Sequence, residues 1–343
     1  MPPLRIGILG AARIAPQAVI SPASELDGVE AVAVAARDPA RARAFADAHG
    51  IPCVAAGYRE LLERADVDAI YVALPLAMHH GWTLAALRAG KHVLCEKPLA
   101  ASAEQAAELI AVADAAGLVL CEAAHWRFHP MAVRVSAILG TGVLGRVRRI
   151  DARFTTAITD PADIRFARDL AGGAMMDLGF YPVHWVRTFM GEEPDVVRAH
   201  AVEGAPGVDV TMTGELAFPG GARGRVHASM VADRRFTATV EIECERGTLS
   251  AENPLAPHLG NRITLRTPEG LTGHESVAGG STYRYQLAAF AEAVRTGAPL
   301  PGGGADPVNT LRVLDALYDA AGLPPRASEP PLPTCAGRLP DRT

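Results

Sequence analysis

From Leu4 to about Glu122, short apolar runs alternate with Ala-rich amphipathic stretches. RIGILG, EAVAVAAR, DAIYVAL, KHVLCE and GLVLCE are bounded by Gly or Pro and carry β-branched residues, which predicts buried parallel strands. The segments between them, PARARAFADAHG, WTLAALRAG and AEQAAELIAVADAAG, have helical spacing. The alternation is a βαβ series, so the expected first unit is an α/β, doubly wound parallel sheet with helices on both faces, spanning residues 1–122.

After a helix expected near Pro130 to Leu139, the pattern changes to longer and more polar alternation. RVRRIDARFTTAI, DVTMTGELAFPG, ARGRVHASMVA and FTATVEIECERGTLSA are joined by turn signals at Pro219, Gly220, Gly221 and Gly247, which predicts an antiparallel or mixed sheet. Two late helices, Tyr283 to Thr296 and Asp306 to Ala321, complete a second α/β unit over 123–343, whose Pro-rich tail (322–343) lacks periodic apolar residues. Alternation puts Val226, Met230, Val240 and Ile242 on the outer face of this sheet, and an apolar outer face implies a homodimer or homotetramer.

With 343 residues, 49% of them hydrophobic and 21% charged, the chain is long enough for two such units. A formal charge of −5 and the lack of any dense Lys/Arg stretch argue against nucleic acid or an anionic membrane surface as partner, and leave a small molecule as the expected substrate. No apolar run approaches the roughly 18 residues that span a bilayer, and the N-terminus enters a strand-like run at once, so the expected location is the cytoplasm. The cysteines (Cys53, Cys95, Cys121, Cys244, Cys335) are odd in number, widely spaced and without a CxxC pair, which predicts reduced, buried thiols and no zinc site.

The first strand runs into Gly10, Ala12 and Ala15, a GxAxxA form of the dinucleotide fingerprint whose loop also holds Arg13 and Ile14. Alone, an Ala-rich composition explains the pattern equally well; its place at the first βα turn favours the cofactor reading. Where an NAD site has a ribose-binding carboxylate at the end of the second strand, this chain reads Ala35, Ala36, Arg37. A guanidinium there suits a 2′-phosphate, favouring NADP over NAD, while Asp38 before Pro39 caps the next helix; Arg37 merely solvating that helix is the alternative. Another strand ends in CEKPLA, placing Lys97 at the ligand-binding edge with Glu96 beside it to hold it, although strand-end lysines are commonly solvated bystanders.

Together IGILGAARIAP, YVALPLAMHH, AGKHVLCEKPLA, EAAHWRFHP and DIRFARDLAGGAMMDLGFYPVHWVRTFMGEEP closely resemble the Gfo/Idh/MocA oxidoreductase family, and within it the NADP-dependent trans-dihydrodiol and xylose dehydrogenase branch. The resemblance runs in order from about Leu4 to Ala321. It implies a Rossmann domain followed by an α/β domain on a large open, mainly antiparallel sheet that often forms an oligomer interface, with substrate between the nicotinamide and the second domain. It also implies a catalytic lysine at Lys97, a helix aspartate at Asp177 and a tyrosine acid/base at Tyr181. The spacing of Asp177, Tyr181 and His184 would put all three on one helix face, with Pro182 interrupting that helix; satisfied core residues are the alternative for Tyr181 and His184. The family's LPN turn reads Leu74, Pro75, Leu76, while His79 is retained. An aromatic pair of close relatives is replaced by His125 and Trp126. His125 and His129 have metal-ligand spacing but no HExxH glutamate or third ligand, so no metal is expected.

The activity so implied is hydride transfer between NADP and a carbinol or carbonyl carbon of a sugar, polyol or small cyclic diol, with Tyr181 moving the proton, Lys97 lowering its pKa and Asp177 orienting Lys97 or the substrate hydroxyls. The rivals are an enzyme recycling tightly held NADP between two sugars and a non-catalytic NADP-binding sensor or scaffold.

Overall fold

The computed structural model describes residues 2–232, 236–270 and 272–326. Six parallel strands, β1 (Leu4–Leu9), β2 (Val29–Ala35), β3 (Cys53–Val54), β4 (Ala69–Val72), β5 (His92–Cys95) and β6 (Leu120–Glu122), form one sheet in the order β3-β2-β1-β4-β5-β6. β4 is buried along its whole length and β1 nearly so, as expected of strands covered on both faces. Order reverses between β1 and β4, and the crevice beyond their carboxyl ends is where such sheets bind ligands. That edge collects the loop after Leu9, the Leu74–Pro75 turn and the Glu96–Lys97 turn. The helix Pro39–His49 starts as expected, with the Asp38 carboxylate accepting the Ala40 N–H at 2.9 Å, and ends at Gly50 in the left-handed region.

The second sheet has eight strands: β7 (Val147–Thr155), β8 (Asp195–Ala205), β9 (Val208–Ala217), β10 (Arg223–Ser229), β11 (Thr237–Cys244), β12 (Gly247–Glu252), β13 (Arg262–Arg266) and β14 (Thr272–Glu275). Their order is β14-β13-β12-β11-β7-β10-β9-β8, antiparallel except between β7 and β10. Helices Phe180–Met190 and Asp306–Ala320 pack on it.

The apolar outer face inferred from alternation is corrected here. Val226, Met230, Val240 and Ile242 are all buried, on the core side with Ile150, Ala152 and Phe154. Their sequence neighbours Arg149, Arg225, Glu241 and Glu243 are exposed, so the opposite face is charged with both signs. Period-two alternation fixes which residues share a face but not which face meets the core. Cys95, Cys121 and Cys244 are buried thiols, whereas Cys53 is only partly buried and Cys335 lies outside the described residues. So does the tail from 327 onward. Its described beginning is anchored: Arg326 is buried, donates to the Gly172 carbonyl at 2.7 Å and lies 4.0 Å over the Tyr318 ring.

Candidate active site

The loop after β1 begins at Gly10, whose φ of +102° and approach to β4 both require glycine, since a Cβ would lie 2.5 Å from the Ala73 carbonyl oxygen. Beyond it the backbone N–H groups of Ala12, Arg13 and Ile14 have no acceptor among the described residues, and they precede the helical stretch Pro16–Ile20. Unpaired amides at a helix start form a cradle for a phosphate, so these residues fit a dinucleotide. Arg37 is exposed beside this loop's neighbour strand. Sequence reasoning passed over Arg41, which reaches back from the next helix to the Ala11 carbonyl at 2.9 Å and puts a second guanidinium at the same edge. His79 is buried, its ring nitrogens each 2.8 Å from a carbonyl oxygen, Leu74 on one side and Pro98 on the other. Burial favours the neutral ring, whose single N–H donates to one of the two carbonyls while the other nitrogen packs against the second, so His79 sits wedged between the Leu74–Pro75 and Lys97–Pro98 turns with neither nitrogen open to a ligand.

Lys97 projects from the end of β5 toward the second sheet's helices. Its ammonium donates to Asp177 Oδ1 at 2.9 Å and to the Asp177 carbonyl at 3.0 Å. Glu96, expected to hold it, is otherwise engaged: one carboxylate oxygen accepts the Tyr71 hydroxyl at 2.7 Å and the other faces the Lys97 backbone N–H at 3.4 Å. Asp177 Oδ2 takes the Arg165 guanidinium, which also pairs with Asp163 at 3.0 Å. Asp163 in turn meets Arg13 of the cofactor loop at 3.0 Å, so a chain of alternating charges runs from that loop to Lys97. Burial alone would raise the Asp177 carboxyl, but the Lys97 and Arg165 charges outweigh it and hold it well below the ordinary carboxylate range. Arg165 and Asp163 belong to the DIRF stretch, whose charged pair was the available signal.

Asp177 owes its place to the glycines before it. A Cβ on Gly172 would lie 2.5 Å from the Arg165 carbonyl oxygen, and one on Gly173, where φ is +148°, would strike Asp209. The turn therefore packs directly on the Asp209–Tyr318–Arg326 cluster and launches the short helix Ala174–Asp177. That helix stops. Gly179 separates it from Phe180–Met190, so Asp177, Tyr181 and His184 do not share one face of a continuous helix. Pro182 is the third residue of the second helix, in the first turn where no backbone donor is needed, and so does not interrupt it.

Tyr181 and His184 share the second helix but have separate surroundings. The Tyr181 ring lies under the Lys97 ammonium, 4.9 Å from its centroid, while the hydroxyl meets His125 Nε2 at 3.0 Å. Burial, with Tyr283 and Glu96 nearby, raises the phenol well above its ordinary pKa, so the expected lowering by Lys97 is overturned: the ammonium faces the ring and its charge is offset by Asp177. His184 is fully buried, its Nδ1 accepts the Trp126 indole N–H at 2.8 Å, and its Nε2 lies 2.9 Å from Asp306. Because an indole only donates, the ring proton must sit on Nε2 and point at Asp306. Both nitrogens are spent, leaving none for a substrate. Burial and Arg127 lower the ring's pKa to about 4, so it stays neutral near pH 7. His125 and His129, at metal-ligand spacing in the sequence, serve different partners, His129 Nδ1 capping the Met131 N–H at 3.0 Å.

Comparison with known proteins agrees with this architecture. Residues 4–124 match the oxidoreductase family with an NAD-binding Rossmann fold, and residues 132–250 match the GFO/IDH/MocA C-terminal domain. The chain is 38% identical over 323 residues to D-xylose 1-dehydrogenase (NADP(+)) 2 of Haloferax volcanii, covering 93% of this chain and 97% of that one. It is also 38% identical to a dTDP-3,4-didehydro-2,6-dideoxy-α-D-glucose 3-reductase of Streptomyces violaceoruber, over 93% of this chain and 96% of that one. A crystal structure of a 3-ketoreductase from Actinomadura kijaniata with NADP and TDP-benzene superposes with a TM-score of 0.86 at 30% identity, covering 93% of this chain and 98% of the other. With both halves matched in order and the strand-end lysine, glycine pair and tyrosine converging as the motifs imply, the chain belongs to the Gfo/Idh/MocA oxidoreductase family.

Proposed function

We propose that this protein is an NADP-dependent oxidoreductase that transfers a hydride between the nicotinamide and a carbinol or carbonyl carbon of a sugar or sugar-derived substrate. The observation that carries the reading is the convergence of Lys97, Asp177 and Tyr181 at the carboxyl edge of the parallel sheet. The free amides of Ala12, Arg13 and Ile14 would hold the pyrophosphate, and Arg37 with Arg41 the 2′-phosphate. The bound nicotinamide supplies the hydride acceptor or donor.

The remaining chemistry belongs to the chain. Lys97 has three ammonium protons and spends two on Asp177, so one remains to hold the reacting oxygen of the substrate. Asp177, fixed by Arg165, keeps that ammonium in place. Tyr181 is held as the neutral phenol, the form required to protonate a carbonyl oxygen as hydride arrives; in oxidation the phenol first gives its own proton to solvent, and the phenolate oxygen then takes the hydroxyl proton. A site with a pre-aimed lysine and a buried phenol favours turnover over a purely cofactor-sensing role. The test is a panel of aldoses, inositols and trans-diols with NADP+, and of keto-sugars with NADPH, followed at the nicotinamide absorbance. Turnover on at least one sugar class is expected; no turnover on any, with NADP(H) bound, would overturn the reading.

A further inference from the structure

Tyr181 is buried at 6% exposure, and its hydroxyl has His125 as its hydrogen-bonding partner. Once a phenol in such a place gives its proton to a substrate, the phenolate left behind needs a donor, because an unsolvated anion is costly. His125 is built to be that donor. Its ring is 3% exposed and tilted against Tyr283 with centroids 4.1 Å apart, with Nε2 at 3.0 Å from Tyr181 Oη and Nδ1 at 2.8 Å from Thr282 Oγ1. Thr282 is itself fully buried at the start of the helix Thr282–Thr296, and its hydroxyl can give a hydrogen to Nδ1. A ring that receives a hydrogen at Nδ1 carries its own on Nε2. Burial, with the Lys97 and His258 charges adding to it, lowers its pKa to about 3, so it accompanies Tyr181 as a neutral ring.

We propose that His125 is a positioning residue for proton transfer at Tyr181: Thr282 donates to Nδ1, and Nε2–H donates to the phenolic oxygen, turning the Tyr181 O–H toward the substrate. In the reducing direction the carbonyl carbon receives the hydride from NADPH, and the Tyr181 O–H bond breaks as the new substrate O–H bond forms. The phenolate keeps the Nε2–H bond until solvent returns a proton. His125 itself neither gains nor loses one. The inference rests on Tyr181 as acid/base in the proposed function, but its hydrogen-bond polarity can be read without turnover.

The experiment is 15N NMR of the full-length protein labelled at histidine, with His125 assigned by the signals lost in His125→Gln. The expected spectrum has His125 neutral with the proton on Nε2, and Tyr181→Phe displaces that resonance. A proton on Nδ1, or no displacement in Tyr181→Phe, would overturn the proposal. Kinetics give the second arm. His125→Phe is expected to lower kcat by about 10- to 100-fold, the scale of one hydrogen bond to a charged group, with KM and NADPH Kd within about twofold. His125→Gln, whose amide N–H can still donate to the phenolic oxygen, is expected to recover most of the loss. Unchanged kcat in His125→Phe, or equal losses in the Phe and Gln variants, would overturn the inference while leaving Tyr181 in its role. Wild-type turnover in Tyr181→Phe would instead overturn the Tyr181 assignment and this inference with it.

Discussion

Replacing Asp177 by asparagine removes a carboxylate shared by two cations. Lys97 bonds one oxygen at 2.9 Å with 11% of its side chain exposed, and Arg165 bonds the other. Deleting one partner of a fully buried pair costs about 3–5 kcal/mol, mostly from the charge left behind. Two features shift that figure in opposite directions. Asp177 is still 24% exposed and Arg165 33%, so solvent screens part of the loss. Against this, the asparagine amide offers one oxygen to two donors, and its NH2 must face either the ammonium or the guanidinium. About 2–3 kcal/mol of lost stability at pH 7 is the expected net, read from urea unfolding of both proteins without cofactor. The pH dependence supplies the sign. A carboxyl held below its ordinary value stabilises the fold above the unfolded value of about 3.9 and ceases to do so as pH falls through the folded one. The two stability curves should therefore converge below about pH 4. Equal stability at pH 7, or a gap that widens in acid, would refute the shared-carboxylate account.

Three further outcomes follow from other parts of the molecule. Arg37→Ala should weaken NADPH binding about tenfold, with NADH binding nearly unchanged, by fluorescence titration; equal wild-type affinity for the two cofactors would remove the 2′-phosphate assignment. Glu122 is buried and its carboxyl is pushed up to about 7, so its cost to the fold grows as pH rises from the ordinary glutamate range toward 7; Glu122→Gln, which can still accept the Leu99 N–H, should gain about 2–3 kcal/mol over wild type above pH 7 and nothing below pH 4 in denaturant titrations. Arg326→Ala should cost about 2–3 kcal/mol in the same assay by removing the Gly172 hydrogen bond and the stacking on Tyr318, and a loss under about 0.5 kcal/mol would show that Arg326 does not anchor the start of the tail.

The sequence made some of this legible and hid the rest for physical reasons. Strands buried on both faces announce themselves as continuous apolar runs, so β1, β2, β4, β5 and β6 were readable, whereas two-residue β3 carries no periodicity at all. β8 and β14 are mostly exposed, and their polar surfaces masked them. Lys97, Asp177 and Tyr181, which the structure brings together, could be singled out in the sequence because their motifs have fixed spacing and flanking glycines. The contacts around Tyr181 were not legible, because His125 and Thr282 reach its hydroxyl from distant parts of the chain, and single-sequence spacing does not report such contacts. His184 shows the opposite error. Its helical offset from Tyr181 was real, but the Trp126–Asp306 clamp gives it surroundings different from those spacing suggested.

The central claim, that Tyr181 moves the proton in a hydride transfer, is most directly tested by Tyr181→Phe on the best substrate from the sugar panel. The account predicts a fall in kcat of about 10²-fold or more, the scale of general acid–base catalysis, with NADPH affinity by fluorescence titration within about twofold of wild type. Wild-type turnover in that variant would contradict it.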